Sequence, residues 1–277
     1  MNRRAASGAL MIVGTSLSIQ IAAAIAHGLF SQLGPGGVSG LRFALGTAVI
    51  LPVVRPRLRG HDRATWLAVT AYGLSLAALN LLFFQSIDRL PLGLAVTFAF
   101  VAPLVMALVN SSRRRDVWFA LLAGSGVVIL GGVDPPGSAL GVGLALGAGA
   151  VWVGVAYSAR EVGRLTPRIE GLALALPVAC VVTLPLASRH LGNLDAHDLA
   201  IGLVIAVGGL IVPFALELEG LRRLEPRVVA IVYSVDPAIA ALVGLAVLSQ
   251  SLSAAQIAGM LAVICASVGV TAGATPS

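Results

Sequence analysis

The 277-residue sequence contains no lysine, only two cysteines, few aromatics (5%) and only 11% charged residues. A soluble domain carries about 25% charged residues, so the shortage excludes a soluble globular enzyme. With 58% hydrophobic residues it excludes a disordered chain as well. An outer-membrane barrel alternates apolar and polar residues, and this chain runs apolar without alternation. Cys180 and Cys265 both lie in apolar runs, so neither a disulfide framework nor a metal site is indicated. No Walker A or dinucleotide glycine motif, no clustered Cys/His ligand set and no Ser/His/Asp motif is present. Catalysis, metal binding and a cofactor are therefore not expected, and neither is ATP-driven transport by this chain alone. What remains is an all-α integral membrane protein.

The net charge of +6 raises the question of nucleic acid. The distribution argues against it: all 18 basic residues are arginine, and most sit in short clusters between apolar runs. That arrangement orients membrane helices. A spanning helix needs about 20 apolar residues, and on that measure the chain has ten spans. They run over 8–30, 36–54, 64–87, 91–110, 117–133, 138–158, 170–187, 198–217, 228–248 and 254–272. The first follows a basic start but is too long for a signal-peptide core, and is read as a retained helix. With ten spans, one side collects fifteen arginines: Arg3, Arg4, Arg55, Arg57, Arg59, Arg63, Arg113, Arg114, Arg115, Arg160, Arg164, Arg168, Arg222, Arg223 and Arg227. The other side collects Arg89 and Arg189, while Arg42 sits inside a span. Both termini are therefore expected in the cytoplasm.

An internal similarity divides the chain. Residues 102–109 align with 236–243 at an offset of 134, and Gly8 and Gly14 match Gly141 and Gly147. That offset carries five helices, an odd number, so the second copy inserts upside down. The expected organisation is two inverted five-helix repeats, 1–133 and 138–277, in one compact membrane domain. Carriers are often built this way, with the substrate site at the midplane between the halves.

Few polar residues lie inside the spans. Pro103 and Pro237, mates in the repeat, remove helix hydrogen bonds and free the carbonyls of Ala99 and Tyr233. The expected result is a pair of kinked helices, either hinges or static bends. Asp236 is deep in the ninth span, where a carboxylate marks an ion or substrate path unless Arg42 or the freed backbone satisfies it. Arg42 either clamps a carboxylate through its planar fork or snorkels to the outer headgroups. Glu219 has Arg222 and Arg223 at surface-pair spacing; Glu217 has no such partner and is the better site candidate. Trp66 and Trp118 sit at helix ends as interface anchors, and His27 near the outer end of its helix is read as interfacial. Trp152 follows Gly141, Gly143, Gly147 and Gly149, which permit close helix approach and leave it as a cavity wall. The candidate substrate cavity is completed by Gln20, Tyr72, Ser75, Asn80, Thr97, Tyr157, Tyr233 and Ser234.

These residues together resemble the EamA-type drug/metabolite transporters, and within them the threonine/homoserine exporter branch. The resemblance is carried by Ser18-Ile19-Gln20, Leu41-Arg42-Phe43-Ala44-Leu45-Gly46-Thr47, Tyr72-Gly73-Leu74-Ser75-Leu76, Asn80 with Leu82-Phe83, Pro91-Leu92-Gly93 and Ser111-Ser112-Arg113-Arg114. In the second half it is carried by 145–150, Leu216-Glu217, Arg223-Leu224 and Ser234-Val235-Asp236-Pro237-Ala238. It implies a bacterial inner-membrane exporter of amino acids and related metabolites, working without ATP, with Arg42, Asn80, Glu217 and Asp236-Pro237 at motif positions. The chain departs from the branch in carrying Asp236 where glutamate is frequent, and Ala99 where an acid is. The expected function is broad-range amino-acid export by alternating access. Exporters of other small amphiphiles, a channel and a membrane enzyme are the alternatives. The expected partners are a small-molecule substrate and the lipid bilayer. No nucleic acid is expected, and a monomer suffices if one bundle encloses the cavity.

Overall fold

The computed structural model describes residues 3–109, 116–132, 139–167, 169–188, 194–221, 223–224 and 226–273. The repeat boundary at 133–138 and the arginines at 113–115, 168, 189 and 222 lie outside them, as do the side chains of Arg3, Arg4 and Arg227. Every element among the described residues is a helix. In chain order these are α1 (Arg3–Gly28), α2 (Phe30–Val54), α3 (Arg63–Ile87), α4 (Leu92–Val109), α5 (Asp116–Gly132) and α6 (Ala139–Leu165). Then come α7 (Glu170–Ser188), α8 (Ala196–Ala206), a π segment (Val207–Ile211), α9 (Val212–Leu221), α10 (Pro226–Tyr233), α11 (Asp236–Leu248) and α12 (Ala254–Gly273). Seven helical stretches are long and apolar enough to cross a membrane, and three shorter apolar ones are Leu92–Met106, Val117–Leu130 and Ala254–Gly269.

Local chemistry sets the element ends. Gly34 interrupts α2 at φ 66°, ψ 162°, a backbone that only glycine adopts without steric penalty. Pro35 then opens the regular helix, where its missing N–H is no loss. Asp62 caps α3, accepting from the Thr65 amide at 2.8 Å and the Thr65 hydroxyl at 2.6 Å. These bonds, the hydroxyl's first, hold the Asp62 carboxyl below its usual range. A lowered native pKa gives stability that is present above the unfolded value and lost as pH falls through the native one. Asp62→Ala is therefore expected to lower the thermal midpoint at neutral pH. The difference from the parent should close once pH drops below the ordinary carboxylate range, as thermal melts across pH would show.

The two spans that carry Pro103 and Pro237 take different forms. α4 passes through Pro103 as one continuous helix. The ninth span is broken: α10 stops at Tyr233, two residues turn, and α11 restarts at Asp236 with Pro237 in its first turn. Ser234 in the break and Asp236 after it bond to Ser267 and Ser16 on other helices, whereas the apolar Phe100, Val101 and Ala102 precede Pro103. The eighth span also departs from a single α-helix, because the π segment shifts its register between α8 and α9.

The connections gather at two ends. At one end, the Arg57 amide donates to Glu170 at 2.8 Å, and Arg223 donates to Ser7 at 3.1 Å. These bonds join the α2–α3 connection to the start of α7, and the start of α1 to the end of α9. At the other end Gln32 donates to Asp198 at 3.0 Å, and the Leu92 amide donates to Gln250 at 2.9 Å. Arg55, Arg57, Arg59, Arg160, Arg164 and Arg223 belong to the first end and Arg89 to the second.

Packing crosses between the chain's halves. α2 lies on α7 and α5 on α12; α6 lies against α3 and α4, and α1 against α9, α10 and α11. Missing side chains permit the closest approaches. A Cβ placed on Gly149 of α6 would stand 2.1 Å from the Ala99 carbonyl oxygen of α4. One on Gly126 of α5 would meet the Gly259 oxygen at 2.7 Å, and one on Gly259 the Gly126 oxygen at 2.8 Å.

Candidate functional site

Between these helices lies a cavity of about 760 Å³, within the usual range for a small-molecule site. It draws on both halves of the chain: α1, α2, α3 and α4 from the first, and α6, α7, the π segment, α9, α10, α11 and α12 from the second. Tyr157 and Arg160 on α6 line it and are exposed, so its mouth faces the arginine-rich end. Arg160 had been read only as a topology signal.

Arg42 forms the deep pole. It is 6% exposed and donates to the Gly209 carbonyl oxygen at 2.5 Å, with its guanidinium 5.5 Å from the Phe84 ring centroid. Snorkelling is thereby excluded. The π segment supplies that carbonyl, and Ser18 binds the neighbouring Gly208 oxygen at 2.6 Å. A Cβ on Gly209 would lie 2.6 Å from Arg42 Nη2 and 3.0 Å from the Ala22 Cβ, so a side chain here would displace the guanidinium. The π turn, a feature frequent at functional sites, was missed; the only hint was a Gly-Gly pair.

The acidic pole lies nearer the mouth. Asp236 is 5% exposed and accepts a hydrogen bond from Ser16. Arg42 is therefore not its partner. Glu217 accepts from the Tyr233 hydroxyl at 2.7 Å. Glu219 forms the surface pair expected of it, with Arg223 at 2.6 Å. The guanidinium stands at the level of Ala22 and Asp236 at that of Ser16, six residues apart on α1. At 1.5 Å per residue the poles are about 9 Å apart along the axis.

Apolar surface fills the space between. Trp152 is the cavity wall expected of it, edge-on to Phe100 at 6.0 Å between centroids, and Tyr72 and Phe214 extend the wall. Three buried polar atoms on residues that line this space have no hydrogen-bond partner among the described residues: Gln20 Oε1, Asn80 Oδ1 and Arg42 Nε. Buried polar groups are nearly always satisfied, so these three stand out.

The structure thus brings Gln20, Arg42, Tyr72, Asn80, Trp152, Tyr157, Glu217, Tyr233 and Asp236 to one cavity, with Pro103 beside them. Ser75, Thr97, Ser234 and Pro237 do not line it. Thr97 is turned back onto the Gly93 carbonyl at 2.6 Å, and Ser234 is fully buried against Ser267 at 2.7 Å. Ser75 is half-buried beside Gly154. Ser16, not among the expected site residues, lines the cavity and bonds Asp236.

Comparison with known proteins follows this geometry. Residues 139–272 match the EamA-like transporter family. The chain is 34% identical over 271 residues to the threonine/homoserine exporter RhtA of Salmonella typhimurium, covering 95% of this chain and 90% of that protein. It is also 34% identical over 266 residues to RhtA of Escherichia coli, covering 92% and 88%. A solved crystal structure superposes with a TM-score of 0.61 at 17% identity over 96% of each chain, a likeness of fold.

Proposed function

The chain belongs to the EamA-like transporter family, and from that premise we propose that it exports amino acids, threonine and homoserine among a broad range, by alternating access. It is a multi-pass protein of the bacterial inner membrane and not an enzyme, as its relatives are transporters. The observation that carries the proposal is a polarised cavity inside a helical bundle, with a buried guanidinium at its floor and two carboxyl side chains toward its mouth. A zwitterion matches such a cavity. Arg42 takes the carboxylate through its planar fork, and the apolar wall at Trp152 and Phe100 accepts side chains of varied shape.

Ten spans with both termini cytoplasmic fit the arginine distribution and the sharing of ends among connections. The mouth then opens to the cytoplasm, the state in which an exporter loads. Two inverted repeats, 1–133 and 138–277, are supported by the packing. Exchanging each helix for its mate leaves the pairs α2–α7 and α5–α12 unchanged, and converts the α6 contacts with α3 and α4 into the α1 contacts with α9, α10 and α11. In the bilayer the halves rock about the central site. One chain encloses one cavity, so a monomer suffices.

Counterflow in proteoliposomes tests the function. Vesicles loaded with unlabelled threonine are expected to accumulate labelled threonine, and a broad panel of amino acids to suppress the uptake. Folded protein that exchanges no amino acid but confers resistance to small toxic amphiphiles would replace this reading with drug export.

A further inference from the structure

We propose that the ammonium group of the substrate is held by two neutral amide oxygens, Gln20 Oε1 and Asn80 Oδ1, and not by Glu217 or Asp236. The proposal rests on the amino-acid reading of the cavity and assigns a subsite within it.

Gln20 is 4% and Asn80 8% exposed, both line the cavity, and both acceptor oxygens lack a donor. Beside them Arg42, 6% exposed, has an unpartnered Nε donor. Unmade hydrogen bonds of this kind are costly when buried. Together the three present one donor edge and two acceptors, the complement of a carboxylate and an ammonium. Along their helices Gln20 and Asn80 lie within about one turn of the level of the guanidinium. The guanidinium lies at Ala22 and Phe84; Gln20 is two residues from Ala22 on α1, and Asn80 one helical turn from Phe84 on α3.

The carboxyl groups of Glu217 and Asp236 are poorly placed for this role. An α-amino acid carries its ammonium and carboxylate on one carbon. It cannot reach from Arg42 to the level of Asp236, about 9 Å away along α1. Glu217 follows Gly209, the partner of Arg42, by eight residues, about 12 Å along the span. Neutral acceptors have a further advantage in a carrier. They select the three N–H donors of an ammonium without locking it into a buried ion pair, so release stays fast. The zwitterionic head sits at the floor, and the substrate side chain faces the aromatic wall and the mouth. A site built to hydrogen-bond a substrate group rejects the analogue lacking it, so Gln20 and Asn80 set the preference for amino acids over their deaminated counterparts.

The test measures KM in counterflow for threonine and for the same molecule without its amino group. Gln20→Leu and Asn80→Leu are expected to raise the threonine KM about tenfold or more, and to leave that of the deaminated analogue within about twofold of the parent. Asn80→Asp, which keeps the acceptor oxygen, should retain the preference. The proposal is overturned if the leucine variants leave the threonine KM unchanged, or if both substrates weaken together. It is equally overturned if Glu217→Gln or Asp236→Asn abolishes the preference while Gln20→Leu and Asn80→Leu keep it. Should a leucine variant fail to fold, a folded Asn80→Asp protein that has lost the preference overturns it as well. If the parent exchanges no threonine, the amino-acid reading falls with it. If the parent exchanges threonine and only the preference stays put, the subsite alone falls.

Discussion

Replacing Arg42 with methionine is expected to nearly abolish amino-acid exchange. Removing one partner of a buried charged pair costs about 2–5 kcal/mol, or roughly thirtyfold to several-thousandfold in affinity. Methionine matches the length and apolar stem of arginine without its fork, so it tests the guanidinium and not the volume. Lysine should not rescue, because its point charge cannot engage a carboxylate and the Gly209 carbonyl in one plane. Radiolabelled threonine counterflow reads the effect, and thermal melts of the same preparations separate it from misfolding. A methionine variant that exchanges threonine like the parent would remove Arg42 from the binding site.

The second large effect belongs to packing. Gly149→Ala adds one methyl group where the Ala99 carbonyl oxygen would stand 2.1 Å and its carbon 2.9 Å away. Neither is the end of a flexible side chain, so α4 and α6 must separate. Overpacking of this kind costs about 1–3 kcal/mol, and for a chain of this size each kcal/mol lowers the midpoint by about 2–4 °C. Gly143→Ala on the same helix is the control. A Cβ there meets nothing within 4 Å, and alanine favours helix over glycine. Detergent melts of the two variants should therefore differ by several degrees, with Gly143→Ala at or above the parent. Equal melts would mean that α4 and α6 are not in backbone contact.

The all-helical fold was legible because the bilayer imposes length and apolarity on the sequence itself; the sixth expected span, 138–158, stopped about two turns short of the end of α6 at Leu165. Gly149 and its neighbours announced a close approach and so placed Trp152 on a wall. Glu219 and Arg223 were legible as a pair because helix periodicity alone brings them together. What escaped was set by hydrogen-bond register, which hydropathy does not encode. Val207–Ile211 reads as any apolar stretch, yet its π turn presents the carbonyl that lets Arg42 stay buried. Without that partner, snorkelling was the sound expectation. Thr97 and Ser234 were read as cavity residues from polarity alone, but one bonds its own helix and the other Ser267. Pro103 and Pro237 look equivalent in sequence, yet one stands in a continuous helix and the other just after a break.

The cross-half packing has a consequence for how the protein is made. Helices leave the ribosome in order, but α1 rests on α9, α10 and α11, and α5 presses its Gly126 onto Gly259 of α12. The earliest helix to enter the bilayer therefore waits for nearly the last ones before its polar residues find their partners: Ser16 for Asp236, Ser18 for Gly208. Until α12 emerges, α5 has lipid where its neighbour belongs. Synthesis of both halves, and not of one alone, is the event that assembles the cavity.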